Sequence, residues 1–286
     1  GTVVTGTVEG LSFPNKGILT VEDSRMVVKN TIPGQVIEAV VTKNGSNRME
    51  GRLQRVVTPS PLETESPCPH YGVCGGCAYQ TIPYEEQLKI KSEQVRQLLI
   101  PVLGEDFPFE GIEGSPRQAE YRNKMEFSFG DFVKDGPMTL GMHKRGSFYD
   151  IVTVDGCRIV DEDYRQILRA TLDYFTEKGI PFYRKMQRTG ALRHLVVRKA
   201  VKTGEILVML VTTSAYRADE EFVSMLQKLP LNGTYAGILQ AINDLPADTV
   251  QSQETIVLYG RDHFYEELLG LRFKITPFSF FQTNSL

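Results

Sequence analysis

One stretch of the chain, from Leu192 to Thr212, reads LRHLVVRKAVKTGEILVMLVT. Two aliphatic runs in it, Leu192 to Arg198 and Glu205 to Thr212, flank the turn formers Lys202-Thr203-Gly204. Strand-forming runs separated by a short turn that contains glycine predict a β-hairpin. We therefore expect two adjacent strands that pair through this turn.

Both strand-like and helical segments surround this hairpin. Met125 to Phe129 alternates apolar and polar residues within a strand-like region from Tyr121 to Val154, whereas Asp161 to Lys178 places its apolar residues on one helical stripe. The remaining segments are a short helix at Phe222 to Leu229 and strands at Gly237 to Asn243, Thr255 to Tyr259 and Leu271 to Ile275. This order of elements predicts an α+β fold, and 286 residues suggest two or three domains.

The N-terminal region differs, because its β-branched runs are short and separated by turn formers such as Pro33-Gly34 and Asn44 to Asn47. The predicted strands are Val3 to Val8, Gly17 to Val21, Arg25 to Val28, Val36 to Thr42 and Gly51 to Val57. Five short strands indicate a small OB-like barrel, a shape that often binds nucleic acid, or else a small β domain without a ligand. A linker at Thr58 to Pro61 follows, and a helix is predicted from Tyr84 to Ile100, ended by Pro101.

Composition limits the classes of protein to consider. No apolar run reaches the roughly 18–20 residues of a membrane span, and the start lacks the basic and apolar segments of a signal peptide. We therefore expect a cytoplasmic, soluble protein with reduced thiols and no membrane partner. The net charge of −3 does not point to nucleic acid, but residues 181–204 hold no acidic residue and many basic ones. That run is either a solvated strand face or part of an RNA surface.

The cysteines form a ligand-like pattern. Cys68, Cys74 and Cys77 lie within ten positions, and Cys157 is the fourth and last cysteine of the chain. Four thiolates suit either zinc or an iron–sulfur cluster. Only one C-x2-C pair is present, and two glycines stand between Cys74 and Cys77, where backbone N–H groups can point at sulfur. This spacing favours a 4Fe–4S cluster over zinc.

The same cysteine pattern resembles that of the RNA uracil-5-methyltransferase family, in its iron–sulfur branch acting on 23S ribosomal RNA. Similar stretches extend along the whole chain. They are Tyr121-Arg122-Asn123-Lys124, Gly141 to Gly146 with Asp150-Ile151-Val152, Leu192 to Arg198, and Ser279-Phe280-Phe281-Gln282-Thr283-Asn284.

The resemblance implies a TRAM domain, an OB-like barrel, at residues 1–59. It implies a central α/β domain with the cluster segment at 60–268, and the first residues of a Rossmann-like methyltransferase domain at 269–286. It also implies S-adenosyl-L-methionine as cofactor, with Gln282 and Phe280 at its site. Ordinary core packing is the alternative for Phe280 and Phe281, and it is the one we expect for Phe281. The implied partner is 23S ribosomal RNA, and the protein is expected to be a monomer. The candidate RNA contacts are Arg122, Lys124, Lys144, Arg145, Arg193 and Arg198.

In that family, a cysteine nucleophile, a carboxylate base and a glycine-rich cofactor loop lie in the C-terminal domain. If the four cysteines hold a cluster, none is left as the nucleophile, so this chain is expected to be inactive alone and to lack the catalytic part. Three hypotheses stay open. The chain is part of a 23S ribosomal RNA enzyme (or one acting on transfer RNA), a non-catalytic RNA-binding module, or a zinc-stabilised RNA-binding protein outside the family.

Overall fold

The computed structural model describes residues 1–45, 49–247 and 249–286. Residues 46 and 47 of the turn predicted at 44–47 therefore lie outside the described residues. The chain forms two compact units, of which unit 1 comprises Gly1–Pro67 with Cys77–Ser115, and unit 2 comprises Cys68–Gly76 with Pro116–Leu286. The domain boundaries predicted at residues 59 and 268 stay predictions. Both strands and helices are present, which confirms the predicted mixture of the two.

Unit 1 contains a six-stranded sheet in the order β1-β5-β6-β4-β3-β2. Its strands are β1 (Val3–Thr7), β2 (Gly10–Ser12), β3 (Lys16–Val21), β4 (Ser24–Lys29), β5 (Val36–Asn44) and β6 (Met49–Thr58). The β4–β6 pair is parallel and the other pairs are antiparallel. All five predicted strands are confirmed, and the three-residue β2 is additional. The OB-like barrel and its TRAM identity stay predictions.

The helix of unit 1, α1 (Tyr84–Leu103), contains Pro101 in its last turn. The prediction that Pro101 ends the helix is wrong by three residues, because a proline this close to the C-terminus removes only one backbone hydrogen bond. The Gly104 N–H still donates to the Ile100 carbonyl at 2.9 Å. Gln94 of α1 donates to the Pro14 carbonyl between β2 and β3 at 3.5 Å, a contact that joins helix and sheet within the unit.

Unit 2 is built on a seven-stranded sheet in the order β13-β12-β11-β10-β7-β8-β9. The elements are β7 (Lys124–Asp131), β8 (Met138–His143), β9 (Ile151–Thr153), α2 (Glu162–Glu177), β10 (Leu192–Lys199), β11 (Glu205–Thr212), α3 (Glu220–Gln227), β12 (Thr234–Ile242), β13 (Glu254–Gly260), β14 (Phe264–Leu268) and β15 (Leu271–Ile275). Strands β10 and β11 pair antiparallel, as the opening hairpin predicts, and β11 pairs parallel with β12.

The sheet of unit 2 is covered on both faces. Leu195 and Val197 of β10 pack into one core with α2 and α3, whereas Val196 packs into a second core with the separate β14–β15 hairpin. Both helices begin at an aspartate, since Asp161 accepts from the Asp163 N–H and Asp219 from the Phe222 N–H. Covering both faces explains why the central strands lack the alternation of a half-exposed strand.

Within the described ranges, no helix is long and apolar enough to cross a membrane.

Candidate functional site

Residues 276–286, which include the predicted cofactor residues Phe280 and Gln282, are held to the sheet of unit 2 by a buried arginine. Arg198 is 1% exposed, and its Nη1 donates to the carbonyls of Thr276, Pro277 and Ser279 at 2.8, 3.2 and 2.7 Å. Burial lowers the pKa of this guanidinium, which Tyr164 and Glu126 oppose electrostatically. An arginine never loses its proton in a protein. Its donors are therefore best satisfied inside the protein, and the three loop carbonyls accept from Nη1.

Asn123 fixes the next part of the same segment. Its side-chain nitrogen donates to the Gln282 carbonyl at 2.9 Å and to the Ser285 hydroxyl at 3.0 Å, and its backbone N–H donates to the Thr283 carbonyl at 2.9 Å. Asn123 is itself buried and accepts the Lys199 N–H through its carbonyl. Sequence patterns assign Asn123 no role beyond its place in a family-like stretch.

The segment presents two neighbouring side chains to solvent. Phe280 is 86% exposed and Gln282 is also exposed, whereas Phe281 between them packs on Phe273 with ring centroids 5.5 Å apart. The core position predicted for Phe281 is thereby confirmed. Fixing the backbone on both sides of an exposed aromatic and an exposed amide is an arrangement suited to binding a ligand.

A buried carboxylate of α2, that of Asp163, pairs with Lys199, the last residue of β10. Asp163 is 1% exposed and accepts from Lys199 Nζ at 2.6 Å and from the N–H groups of Asn232 and Gly233 at 2.8 and 2.9 Å. Burial alone would raise the pKa of this carboxyl, but the three hydrogen bonds outweigh burial and lower it. Lys199 also reaches Asp161 at 2.5 Å. This group of charges anchors α2 to the end of β10.

The other β10 arginine is also structural. Arg193 is 2% exposed and donates to the carbonyls of Asn243, Leu245 and Ala247 at 2.7, 2.7 and 2.6 Å. Arg193 and Arg198 were predicted to contact RNA, and their burial argues against that role because a phosphate cannot reach them. Within the basic run at 181–204, these two arginines are likewise not part of a solvated face.

The remaining predicted RNA contacts lie nearer the surface. Arg122 Nε donates to the Lys124 carbonyl at 3.0 Å, and Lys124 Nζ pairs with Glu126 at 2.7 Å. Lys144 pairs with Asp150 at 3.6 Å, and Arg145 lies over the Tyr71 ring at 5.2 Å. These side chains are partly exposed and can exchange such contacts for phosphates at small cost.

The part of the cysteine segment that belongs to unit 2 lies against the strands β8 and β9. Cys74 forms a backbone bridge with Lys144, the Gly75 N–H donates to the His143 carbonyl at 2.9 Å, and the Arg145 N–H donates to the Val73 carbonyl at 2.7 Å. The segment is thus ordered by main-chain bonds to the region that carries Lys144 and Arg145.

Cys157 lies in the same part of unit 2. It is buried in the core against which Cys74 packs, and the preceding Gly156 N–H donates to His70 Nε2 at 2.9 Å. Burial lowers the pKa of His70, which suits the neutral ring that accepts this bond. The His70 ring is half-buried and joins the two cysteine-bearing segments of unit 2.

Two donors point at cysteine sulfur. The Gly76 N–H lies 3.4 Å from Cys74 Sγ, and the side-chain nitrogen of Gln80 lies 3.2 Å from Cys77 Sγ within unit 1. Among residues 1–45, 49–247 and 249–286, no three or more His, Cys, Asp or Glu side chains are grouped closely enough to hold a metal ion. The thiols therefore have polar support but do not form a completed ligand set.

Comparison with known proteins finds no matching protein-family model. Among individual proteins, one named as an uncharacterized RNA methyltransferase of Clostridium tetani is 49% identical over 279 residues. Proteins with the same description from Clostridium acetobutylicum and Caldanaerobacter subterraneus are each 46% identical, over 279 and 286 residues. These alignments cover 97%, 97% and 100% of this chain.

One solved structure shares the fold. It is the Pyrococcus abyssi tRNA (uracil-54, C5)-methyltransferase in complex with S-adenosyl-L-homocysteine, with a TM-score of 0.71 and 23% identity over 98% of this chain and 61% of that one. The chain likewise spans only 61%, 61% and 63% of the three bacterial relatives. Nearly the whole of this chain thus aligns with proteins named as RNA methyltransferases, and the aligned part makes up about three fifths of the length of each of them.

Proposed function

We propose that this chain belongs to the RNA uracil-5-methyltransferase family and supplies RNA recognition and part of the cofactor site of a 23S ribosomal RNA enzyme. The observation that carries the proposal is the 49% identity, across 97% of the chain, to a protein named as an RNA methyltransferase. The segment that holds Phe280 and Gln282 adds support, because it is exposed where a ligand can reach it and fixed from behind by Asn123 and Arg198.

The bound cofactor, S-adenosyl-L-methionine, would supply the methyl group. In this proposal the Gln282 amide would hydrogen-bond the cofactor and the Phe280 ring would pack against it, while the buried Asn123 holds the backbone at Gln282 and Thr283. The nucleophilic cysteine and the base of the reaction are not assigned to residues of this chain. A base that is to be methylated has to leave its stack, which costs a few kcal/mol, and RNA contacts offset that cost.

The RNA contacts proposed for this chain are Arg122, Lys124, Lys144 and Arg145. Each is a lysine or arginine within reach of solvent, and such side chains bind phosphates with salt-dependent affinity. We leave out Arg193 and Arg198 because both are buried and each already donates to three backbone carbonyls.

We also propose that Cys68, Cys74, Cys77 and Cys157 hold a 4Fe–4S cluster. The support is their spacing together with the donors near Cys74 Sγ and Cys77 Sγ, which are of the kind that stabilises cluster thiolates. The side chains as placed do not form a metal site, so no step of the reaction is assigned to the cluster. Iron and acid-labile sulfide analysis of anaerobically purified protein tests this proposal, and one zinc per chain with no iron would overturn it.

A second substrate has a specific observation in its favour, since one solved structure with a similar fold is named as a tRNA (uracil-54, C5)-methyltransferase. The experiment is methyl transfer from radiolabelled S-adenosyl-L-methionine by the full-length protein that contains this chain. Unmodified 23S ribosomal RNA and unmodified tRNA are offered separately, and 5-methyluridine is located by mass spectrometry. Label in 23S RNA supports the proposal and label only in tRNA moves it to the second substrate. If the protein binds RNA but transfers no label to either RNA, the hypothesis of a non-catalytic RNA-binding module is favoured.

A further inference from the structure

A cavity of about 340 Å³ opens in unit 2 beside the sheet. It lies between the β7–β8 turn, the loop that leads into β9, and residues 182–187. We call it the aromatic cavity, after Phe129, Tyr149, Phe182 and Tyr183 in its lining. Its volume lies at the lower end of the range for small-ligand sites, about 300–1,000 Å³. None of the four aromatic side chains is part of the proposed cofactor or cluster site.

The inner wall of the aromatic cavity is fixed before any ligand binds. Phe129 and Ile151 are buried against the core, and the Tyr183 ring lies 4.5 Å from the Arg193 guanidinium. Arg193 is itself held by the carbonyls of three residues between 243 and 247. The burial of Arg193 that removes it from phosphate contact therefore gives it another use, as rigid support for an aromatic wall. Rigid support lowers the entropy cost of binding.

The loop that carries Phe182 and Tyr183 is equally well determined. The Tyr183 N–H donates to the Leu192 carbonyl and the Arg184 N–H to the Thr189 carbonyl, both at 2.7 Å. The loop closes at Gly190, whose φ is +99°, and a Cβ there would lie 2.0 Å from the Phe182 carbonyl oxygen. No residue with a side chain fits this position. Glycine at position 190 thus permits the backbone conformation with which this loop returns to β10.

The mouth of the cavity is apolar and exposed. Tyr149 is 64% exposed and Met186 is 78% exposed, and both line the cavity. Phe148 and Val133, next to lining residues, are 85% and 56% exposed. Large apolar side chains gathered around one opening mark a binding surface, whereas isolated ones need no explanation.

Charge narrows the choice of ligand. Three cationic side chains within reach of solvent and two carboxylates line the cavity, namely Lys134, Arg184, Lys185, Asp131 and Asp150. Arg184 pairs with Asp135 at 3.0 Å and with Asp131 at 3.7 Å, and Lys144 partly neutralises Asp150, at 3.6 Å. Positive charge around flat aromatic walls suits a ligand that is both anionic and planar. Single-stranded nucleic acid combines these two properties, and proteins bind it with stacking aromatics beside basic grooves.

We propose that the aromatic cavity takes one unstacked nucleotide of the RNA substrate, with its base against Tyr149 and Tyr183 and its phosphate at Lys134 and Lys185. The inference rests on the proposed function, and it adds a recognition site separate from the cofactor segment. Sequence choice in RNA comes mostly from bases that leave the helix and enter such pockets. In this proposal the cavity recognises a nucleotide next to the methylated one and helps to keep the RNA loop that contains both unstacked.

Cross-linking tests the location directly. The full-length protein is irradiated with single-stranded RNA that carries 4-thiouridine at successive positions, and the cross-linked peptides are identified by mass spectrometry. We expect cross-links at Tyr149, Phe182 or Tyr183 from one position of the RNA. Cross-links confined to segments outside the lining would overturn the proposal.

Variants test the energetics of the same site. Tyr149→Ala should weaken binding of the RNA about tenfold, the effect of losing one stacked base, while Tyr149→Phe should retain the affinity. The matched control is Tyr259→Ala, which removes an exposed tyrosine of β13 and should change nothing. Lys134→Gln should lower affinity and its salt dependence, with Lys228→Gln at the end of α3 as its control.

The two proposals fail in different ways. If no RNA is methylated but Tyr149→Ala weakens RNA binding with an unchanged melting temperature, the proposed function fails and the cavity stands. If methyl transfer occurs and Tyr149→Ala and Lys134→Gln bind RNA as tightly as the unmodified protein, the cavity proposal is wrong and the function stands.

Discussion

Strand β10 and the loops around β8 both carry cations, and the protein uses the two sets in opposite ways. Arg193 and Arg198 of β10 are almost fully buried, and each donates to three backbone carbonyls. Lys144 and Arg145 are partly exposed, and each lies over an aromatic ring. Arginine occurs in both sets, so residue type alone does not tell a structural cation from an RNA contact.

The position of the strand decides the difference. β10 lies inside the seven-stranded sheet, between β11 and β7, and layers cover both of its faces. A cation there has to satisfy its donors with protein groups, because an unpaired buried donor is costly. Each buried arginine consequently fixes a loop, residues 276–279 for Arg198 and residues 243–247 for Arg193. The loop cations remain available to water or phosphate.

The largest expected effect comes from removing the carboxylate that balances the last cation of β10. Asp163→Asn leaves Lys199 without one of its two carboxylate partners and should lower the free energy of unfolding by about 3–5 kcal/mol at pH 7. Urea denaturation of both proteins measures the difference. Asp173→Asn, at an exposed position of α2, is the matched control and should have no measurable effect.

The same substitution carries a pH dependence with a definite sign. The folded protein lowers the pKa of Asp163 from its ordinary value of 3.8, so the unfolded chain binds the proton more readily. The stabilisation is therefore complete above about pH 5 and is lost as pH falls through the folded pKa. The gap between the two proteins should narrow in acid. A gap that stays constant from pH 7 to pH 3 would contradict the ion-pair explanation.

A smaller loss is expected at Arg198. Arg198→Met keeps most of the packed volume but leaves three loop carbonyls without their donor, which should cost about 2–3 kcal/mol. Hydrogen exchange of residues 276–285 should accelerate more than exchange of the sheet, since the loop loses its attachment. Arg158→Met, on the surface of unit 2, serves as the control. Uniform acceleration across unit 2 would show that Arg198 supports the core and not the loop specifically.

The sequence predicted the sheet better than it predicted how the buried charges are used. Strand positions follow from local patterns such as the 192–212 hairpin, and these patterns survive in the structure. Strand β14 went unpredicted because Glu266 looks like a surface residue. In the structure Glu266 is 2% exposed and accepts the N–H groups of Val201 and Lys202 at the β10–β11 turn. That contact joins residues more than sixty positions apart, and no local pattern indicates it.

The candidate site divides in the same way. The exposed pair Phe280 and Gln282 was predicted from a family-like stretch, and its accessibility agrees with a binding role. Asn123, which fixes that stretch from the start of β7, has no signal of its own in the sequence. The assignment of α1 to unit 1 depends likewise on a contact with Pro14, eighty positions away. A buried amide or a distant carbonyl becomes meaningful only when the fold brings its partner close.

The smallest effect on stability, and the sharpest test of the comparison, is expected at the loop cations. Lys144→Gln and Arg145→Gln should each change the free energy of unfolding by less than about 0.5 kcal/mol, because partly exposed ion pairs contribute little. RNA affinity should nevertheless fall, and the slope of log K against log salt should decrease by about 0.7 for each phosphate that the variant no longer binds. Fluorescence anisotropy with single-stranded RNA at several salt concentrations measures both quantities.

Arg193→Gln should have the opposite effects. It should lower the free energy of unfolding, while the folded fraction of the variant should bind RNA with an unchanged slope of log K against log salt. If Arg193→Gln reduces the salt slope while Lys144→Gln and Arg145→Gln leave it intact, the division between structural and RNA-binding cations is wrong.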